Sequence, residues 1–252
     1  MLGRFLEYSV ITDDIQASLD FYRKIGFSQA QVGDAWAQPY AVVTDGRICL
    51  GLHQESRPGP LITFVKPDLG KHLPEFARRG VEFDVCRLGD HVFNEITWSD
   101  PSGHAIRLVE ARTFSPVKRT LTETSQCGYF LEIALPAADV EAAKIYWEQF
   151  GFVGMDEPDA PVPHVSCTSD TIDVGLYETA RLSAPTLAFE AGNLAGRLEA
   201  LADLGVHAAE ARGVSSHGAQ TQGAKFHGSG RAMRAVSFTA PEGTSILLSQ
   251  AD

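Results

Sequence analysis

Two glutamates stand at the end of the same triplet. Phe-Leu-Glu opens RFLEYSVITDD at Glu7 and returns in YFLEIALPAAD at Glu132, 132 − 7 = 125 positions later. Each lies in an apolar run, and a carboxylate buried without a partner has its pKa pushed upward by desolvation, which tunes a general base toward neutrality. The other chemistry-bearing residue types are scattered. His53, His104 and His164 show no His-x-His or His-x-x-x-His spacing, and Cys49, Cys86, Cys127 and Cys167 show no Cys-x-x-Cys spacing. The cysteines therefore read as small buried apolar residues with reduced thiols.

The elements that must position these glutamates repeat with them. Asp14 and Asp139 stand at helix N-caps, Gly26 and Gly151 end those helices, and Phe27 and Phe152 follow, all at the same offset of 125. DIQASLDFYRKI and DVEAAKIYWEQF carry apolar residues at helical spacing. PDLGKHLPEFARRGV and GNLAGRLEALADLGV supply a second helix per half, closed by Gly80 and Gly205. Strand-like pairs fill the rest: YAVVTDGRICLGLHQ with HVSCTSDTIDVGLYE, then NEITWSDPSGHAIRL with RAVSFTAPEGTSILL. Each half reads β-α-β-β-β twice, an α+β architecture of four modules. Within a strand that alternates faces, Glu7, Ser9 and Ile11 point one way while Tyr8 and Val10 point toward the helix. The polar stretch around Pro116 is the expected linker, 113–127, between a first domain at 1–112 and a second at 128–252. A Gly-, Ser- and His-rich insertion at 213–230 is either solvated surface or a lid over a ligand.

Composition excludes several functions. The chain has 252 residues and a formal charge of −11. Its pI is near 5.1. With no basic run it lacks the clustered Lys and Arg that nucleic-acid binding needs. No stretch approaches the length of an apolar membrane span, so a cytoplasmic protein without membrane or nucleic-acid partners is expected.

The motifs FLEYSVITDDIQASLDFYRKIGF, DGRICLGL and SDPSGHAIRL, echoed by FLEIALPAADVEAAKIYWEQFGF, DVGLYE and APEGTSILL, resemble the vicinal oxygen chelate superfamily. That superfamily includes glyoxalase I, extradiol dioxygenases and bleomycin-resistance-type binding proteins. The resemblance covers nearly the whole chain and implies two glyoxalase-like half-barrel domains, each holding a divalent metal and substrate on a concave face. It maps the four ligand positions to Glu7, Gly51, Leu61 and Arg107 in the first half. In the second half they fall on Glu132, Gly175, Thr186 and Leu247. One carboxylate among glycine, leucine and arginine does not make a metal site. A guanidinium about 4 Å from a divalent ion is repelled by roughly 8 kcal/mol at an effective dielectric near 20. No metal and no cofactor are therefore expected.

The resemblance also sets Glu7 opposite Arg107, either as a structural salt bridge or as a pair that recognises an anionic ligand, with His53 nearby. Glu132, Asp173, Tyr177, Thr186, Glu190 and Ser245 fall on the second concave face. In relatives that exchange modules, Glu132 meets Arg107 instead. Trp36, Tyr40, Trp98 and Phe226 are the aromatic residues available to flank a ligand, Trp36 and Tyr40 foremost. The expected ligand-binding set is Glu7, His53, Arg107, Trp36, Tyr40, Glu132, Tyr177 and Thr186. The leading functional expectation is metal-independent binding of a small aromatic or anionic molecule, as in drug or toxin sequestration. The alternative is a glyoxalase-like lyase or isomerase with Glu7 or Glu132 as general base and Arg107 stabilising an oxyanion. A small-molecule ligand or substrate is the expected partner, and the tandem pseudo-dimer is expected as a monomer or a homodimer.

Overall fold

The computed structural model describes residues 1–31, 38–111, 124–211 and 235–251. In the first half, β1 (Arg4–Ile11), α1 (Ile15–Lys24), β2 (Ser28–Ala30), β3 (Tyr40–Thr44) and β4 (Cys49–His53) form one module. A second follows as β5 (Leu61–Lys66), α2 (Leu69–Arg78), β6 (Val85–Arg87), β7 (Glu95–Ser99) and β8 (Ala105–Glu110). The second half repeats both, as β9 (Tyr129–Ala137), α3 (Val140–Gln149), β10 (Val153–Glu157), β11 (His164–Thr168) and β12 (Val174–Glu178), then β13 (Thr186–Ala191), α4 (Leu194–Asp203), β14 (Ala209–Glu210), β15 (Ala235–Thr239) and β16 (Ser245–Gln250).

Capping chemistry explains where the helices start. The Asp14 carboxylate accepts from Ala17 N at 2.9 Å, Asp139 accepts from Ala142 N at 2.9 Å, and Asn193 caps α4 through Gly196 N at 3.0 Å. Helix α2 differs. Asp68 sits before it at φ 54°, without a side-chain cap bond.

Each half closes its own eight-stranded sheet, ordered β2-β3-β4-β1-β5-β8-β7-β6 and β10-β11-β12-β9-β13-β16-β15-β14. The modules join through antiparallel pairs, β1 with β5 and β9 with β13, while β1–β4, β5–β8, β9–β12 and β13–β16 are parallel. Glu7 therefore shares a sheet with Arg107 and Glu132 shares one with Leu247; modules are not exchanged between the sheets.

The repeated triplet has a geometric cause. Phe5 pairs with Phe64 but Glu7 pairs with Thr63, so Leu6 is the extra residue of a β-bulge. Phe130 pairs with Phe189 and Glu132 with Ala188, so Leu131 plays the same part. In a regular strand a residue and its second neighbour share a face. The bulge breaks that rule, seating Phe130 in the core and sending Glu132 to the concave side.

Convex-facing residues such as Tyr8, Val10, Leu50, Ile62, Phe64 and Leu108 join Phe130, Ile133, Leu176, Phe189 and Leu248 in one apolar core running through both halves. Trp98 belongs to it rather than to the concavity, and its indole N–H donates to Tyr146 of α3 at 2.6 Å. Residues 124–127, assigned by composition to the linker, are partly packed in: Ser125 and Cys127 are buried and Gln126 N donates to Ile25 O at 2.8 Å. All four cysteines are free; Cys127 and Cys167 are buried as expected, Cys49 is half-buried, and Cys86 is exposed.

Candidate functional site

Across the first sheet, register sets one concave row in which Cys49, Glu7, Thr63, Arg107 and Thr97 follow one another from strand to strand. His53, Gly51, Ser9, Leu61 and Ala105 stand on the same face by alternation. The Glu7 carboxylate lies flat over Gly51: a Cβ built on that glycine would collide with the whole carboxyl group. Ser9 donates to Glu7 Oε1 at 2.7 Å. Since the single Ser9 hydroxyl hydrogen is used there, the 2.7 Å contact with Thr63 is a donation from Thr63 to Ser9. His53 Nε2 meets the same Oε1 at 2.5 Å, and its Nδ1 lies 3.3 Å from Gln38 Nε2. Tyr40 stacks on the imidazole, ring centres 5.7 Å apart and planes within 12°.

Arg107 is placed on the concave face but does not pair with Glu7. Strand β5 stands between theirs, and two strand spacings are about 10 Å. Among the described residues its carboxylate contacts include Glu55, 2.7 Å from Nη2, and Glu95, 3.9 Å from Nε. Arg57 joins both glutamates, Nε to Glu55 at 3.0 Å and Nη2 to Glu95 at 3.4 Å, and Arg87 reaches Glu95 at 3.3 Å. Sequence reasoning missed Glu55 and Glu95. The parity of Glu95 with Thr97 in EITWS was a usable signal; Glu55 lies in an irregular segment that alternation does not reach.

In the second half, Glu132 lies over Gly175, and a Cβ there would again strike the carboxylate. Tyr177 donates to Glu132 Oε1 at 2.7 Å and Ser166 to Oε2 at 3.2 Å. His164 Nε2 stands 3.1 Å from Oε1 and its Nδ1 2.9 Å from the Val162 carbonyl. Both ring nitrogens face acceptors, so satisfying both requires the doubly protonated ring. Burial opposes that charge, but the hydrogen bond to Glu132 and its negative charge outweigh it, and the His164 pKa is raised above 6.5. The ring stacks on Tyr177 at 4.5 Å and 8°. Burial, then the nearby Glu132 charge, pushes the Tyr177 phenol well above its usual value of 10.0.

Beside this cluster Ala134, Ala188, Ala235 and Leu247 form an apolar patch with Val162 against Tyr177, while Glu190 and Ser245 stand on the same face by register and alternation. Thr186 is buried there, its hydroxyl turned to the Ala184 carbonyl at 2.9 Å. Asp173 lies in the turn before β12, where it accepts from Ser169 N at 3.2 Å. Trp36, Phe226 and the insertion at 213–230 lie outside the described residues.

The metal of the family does not fit these residues. At the inherited ligand positions one carboxylate per half remains, each folded onto a glycine and bonded to hydroxyl and imidazole groups, and the first half adds a buried guanidinium that Glu55 and Glu95 already engage. Among the described residues, no three His, Cys, Asp or Glu side chains are grouped to hold a metal ion. An open cleft of about 1210 Å³ lies between the halves. Leu61, Thr97, Ser99 and Ala105 of the first sheet line it, facing Pro136 and Ala142 of the second half.

Residues 4–108 match the family model described as the Glyoxalase/Bleomycin resistance protein/Dioxygenase superfamily. No curated protein matches the chain. Among solved structures, a catechol 2,3-dioxygenase is similar at a TM-score of 0.57 and 14% identity, over 99% of this chain and 88% of that one. The 2,3-dioxygenase LapB from Pseudomonas sp. KL28 is similar at 0.60 and 16%, over 98% and 92%. A variant of homoprotocatechuate 2,3-dioxygenase from Brevibacterium fuscum is similar at 0.61 and 15%, over 99% and 72%. The first half thus matches the superfamily's model, and the four βαβββ modules in two half-barrels give the whole chain the fold of these tandem-domain dioxygenases.

Proposed function

We propose that the protein binds a small, partly aromatic organic molecule in the first concavity, entered from the cleft and without a metal ion. The observation that carries this reading is the cleft of about 1210 Å³, lined by Leu61, Thr97 and Ala105 of the same concave face on which Glu7, Gly51 and Arg107 stand deeper and buried. Concave, mostly apolar spaces with a few convergent polar groups are where small ligands bind. Sequestration of a drug or toxin in the cytoplasm suits such a site, and the family description includes resistance proteins. Among the described residues no helix is long and apolar enough to cross a membrane. Calorimetry and tryptophan fluorescence across a panel of aromatic compounds test the proposal. Binding that is unchanged by a chelator is expected, and binding that appears only after a divalent metal is added refutes it.

One observation favours a second reading, a lyase or isomerase. The 2.5 Å contact of His53 with Glu7 is a carboxylate–imidazole pair of the kind that accepts a proton. Arg107 would stabilise the oxyanion, although Glu55 already compensates its charge. Turnover that survives chelation and is lost in Glu7→Gln supports this reading; turnover retained in that variant ends it.

A further inference from the structure

We infer that Glu55 is an internal stand-in for a ligand carboxylate on Arg107, so that the first concavity selects small anionic molecules able to displace it. This inference rests on the proposed binding function and deepens it. Arg107 is 0% exposed, yet its cross-strand neighbour Thr97 lines the cleft, as do Leu61 and Ala105 one step along the sheet. The cleft thus reaches the strands around the guanidinium, and the segment between β4 and β5, which also lines the cleft through Arg57, Pro58, Gly59 and Pro60, sends Glu55 onto Arg107. From that segment Glu55 bonds Arg107 through Oε1 at 2.7 Å and Arg57 through Oε2 at 3.0 Å. Guanidinium groups are well suited to carboxylates, and here one carboxylate bridges two of them, an oxygen to each.

The two glutamates differ in their attachment. Glu95 stands on β7, fixed by ladder bonds to β6 and β8. Glu55 stands in an irregular segment outside the sheet, where local opening requires fewer bonds to break. Displacing Glu55 removes one negative charge from the cluster it forms with Arg107, Arg57 and Glu95, and an incoming carboxylate restores it. The body of such a ligand would lie against Pro58, Pro60, Leu61, Val85 and Ala105 of the cleft wall. The class indicated is a small monocarboxylate on an apolar or aromatic frame. A neutral analogue gains nothing from the exchange.

The test is calorimetry of wild type, Glu55→Gln and Glu55→Asp with two probes, benzoate and benzyl alcohol. Glu55→Gln keeps the shape of the side chain and removes its charge, so benzoate affinity is expected to rise about tenfold while benzyl alcohol affinity stays within about twofold. Glu55→Asp keeps the charge but shortens the reach, and is expected to give a smaller rise; it carries the test should the Gln variant fail to fold. Adding Arg107→Lys to Glu55→Gln should abolish the gain. Benzoate affinity that is unchanged or lower in both Glu55 variants overturns the inference, and if benzyl alcohol still binds, the binding function itself stands. Failure of every form to bind either probe overturns both.

Discussion

At the scale of single residues, the two halves solve the same problem with exchanged parts. Tyr40 and His53 of the first half correspond at an offset of 124 to His164 and Tyr177 of the second, so imidazole and phenol have traded strands while both remain stacked beside the carboxylate. Glycines 51 and 175 are the condition for this. The carboxylate occupies the space of a side chain at those positions, so Gly51→Ala should cost about 2 kcal/mol in urea unfolding, and much less in a chain that also carries Glu7→Ser. Equal costs in both backgrounds would show that the carboxylate does not lie over the glycine. The charged His164 makes a prediction in pH. Its pKa is raised in the folded protein, so the pair with Glu132 contributes stability that is fully present below the ordinary value of 6.5 and is lost as pH rises through the folded value. The thermal stability advantage of wild type over His164→Asn should therefore be constant below pH 6.5 and shrink as pH rises above it.

At the scale of elements, what could be read from sequence was whatever local chemistry decides. Asp14 and Asp139 cap their helices as their spacing predicts, and each should cost about 1 kcal/mol of unfolding free energy when changed to Ala. Asp68 is the contrast: it makes no cap bond and holds a left-handed backbone, so Asp68→Gly should be neutral or slightly stabilising in the same measurement. The bulges were not legible, because a strand pattern shows which residues alternate and not where one extra residue is inserted. Nor were the partners of Arg107. The resemblance put Arg107 on the concave face, but only the register of β5 between β1 and β8 shows that Glu7 is two strands away. The concave position of Glu7 and Glu132 was legible; their companions Ser166 and His164 come from a strand whose pairing partner had to be known first.

At the scale of the whole molecule, sheets close within each half but helices pack across. Phe21 of α1 lies 6.4 Å from Phe238, and Tyr22 and Ser18 donate to Glu242 at 2.7 and 3.0 Å. In the reciprocal contact Phe150, which ends α3, lies 6.1 Å from Phe76, and His104 Nε2 meets the Pro136 carbonyl at 2.7 Å. A tandem repeat built this way shares one apolar core, so its halves should lose structure together rather than in sequence. Tyr146→Phe tests the coupling where it is narrowest, since it removes the acceptor of the Trp98 indole N–H across the two halves. Leaving that donor without its acceptor should cost about 1–2 kcal/mol. Hydrogen exchange followed separately in β7–β8 and in α3 should lose protection by the same amount in this variant. Loss confined to α3, with the first sheet unchanged, would mean that the halves unfold independently and that the shared core does not couple them.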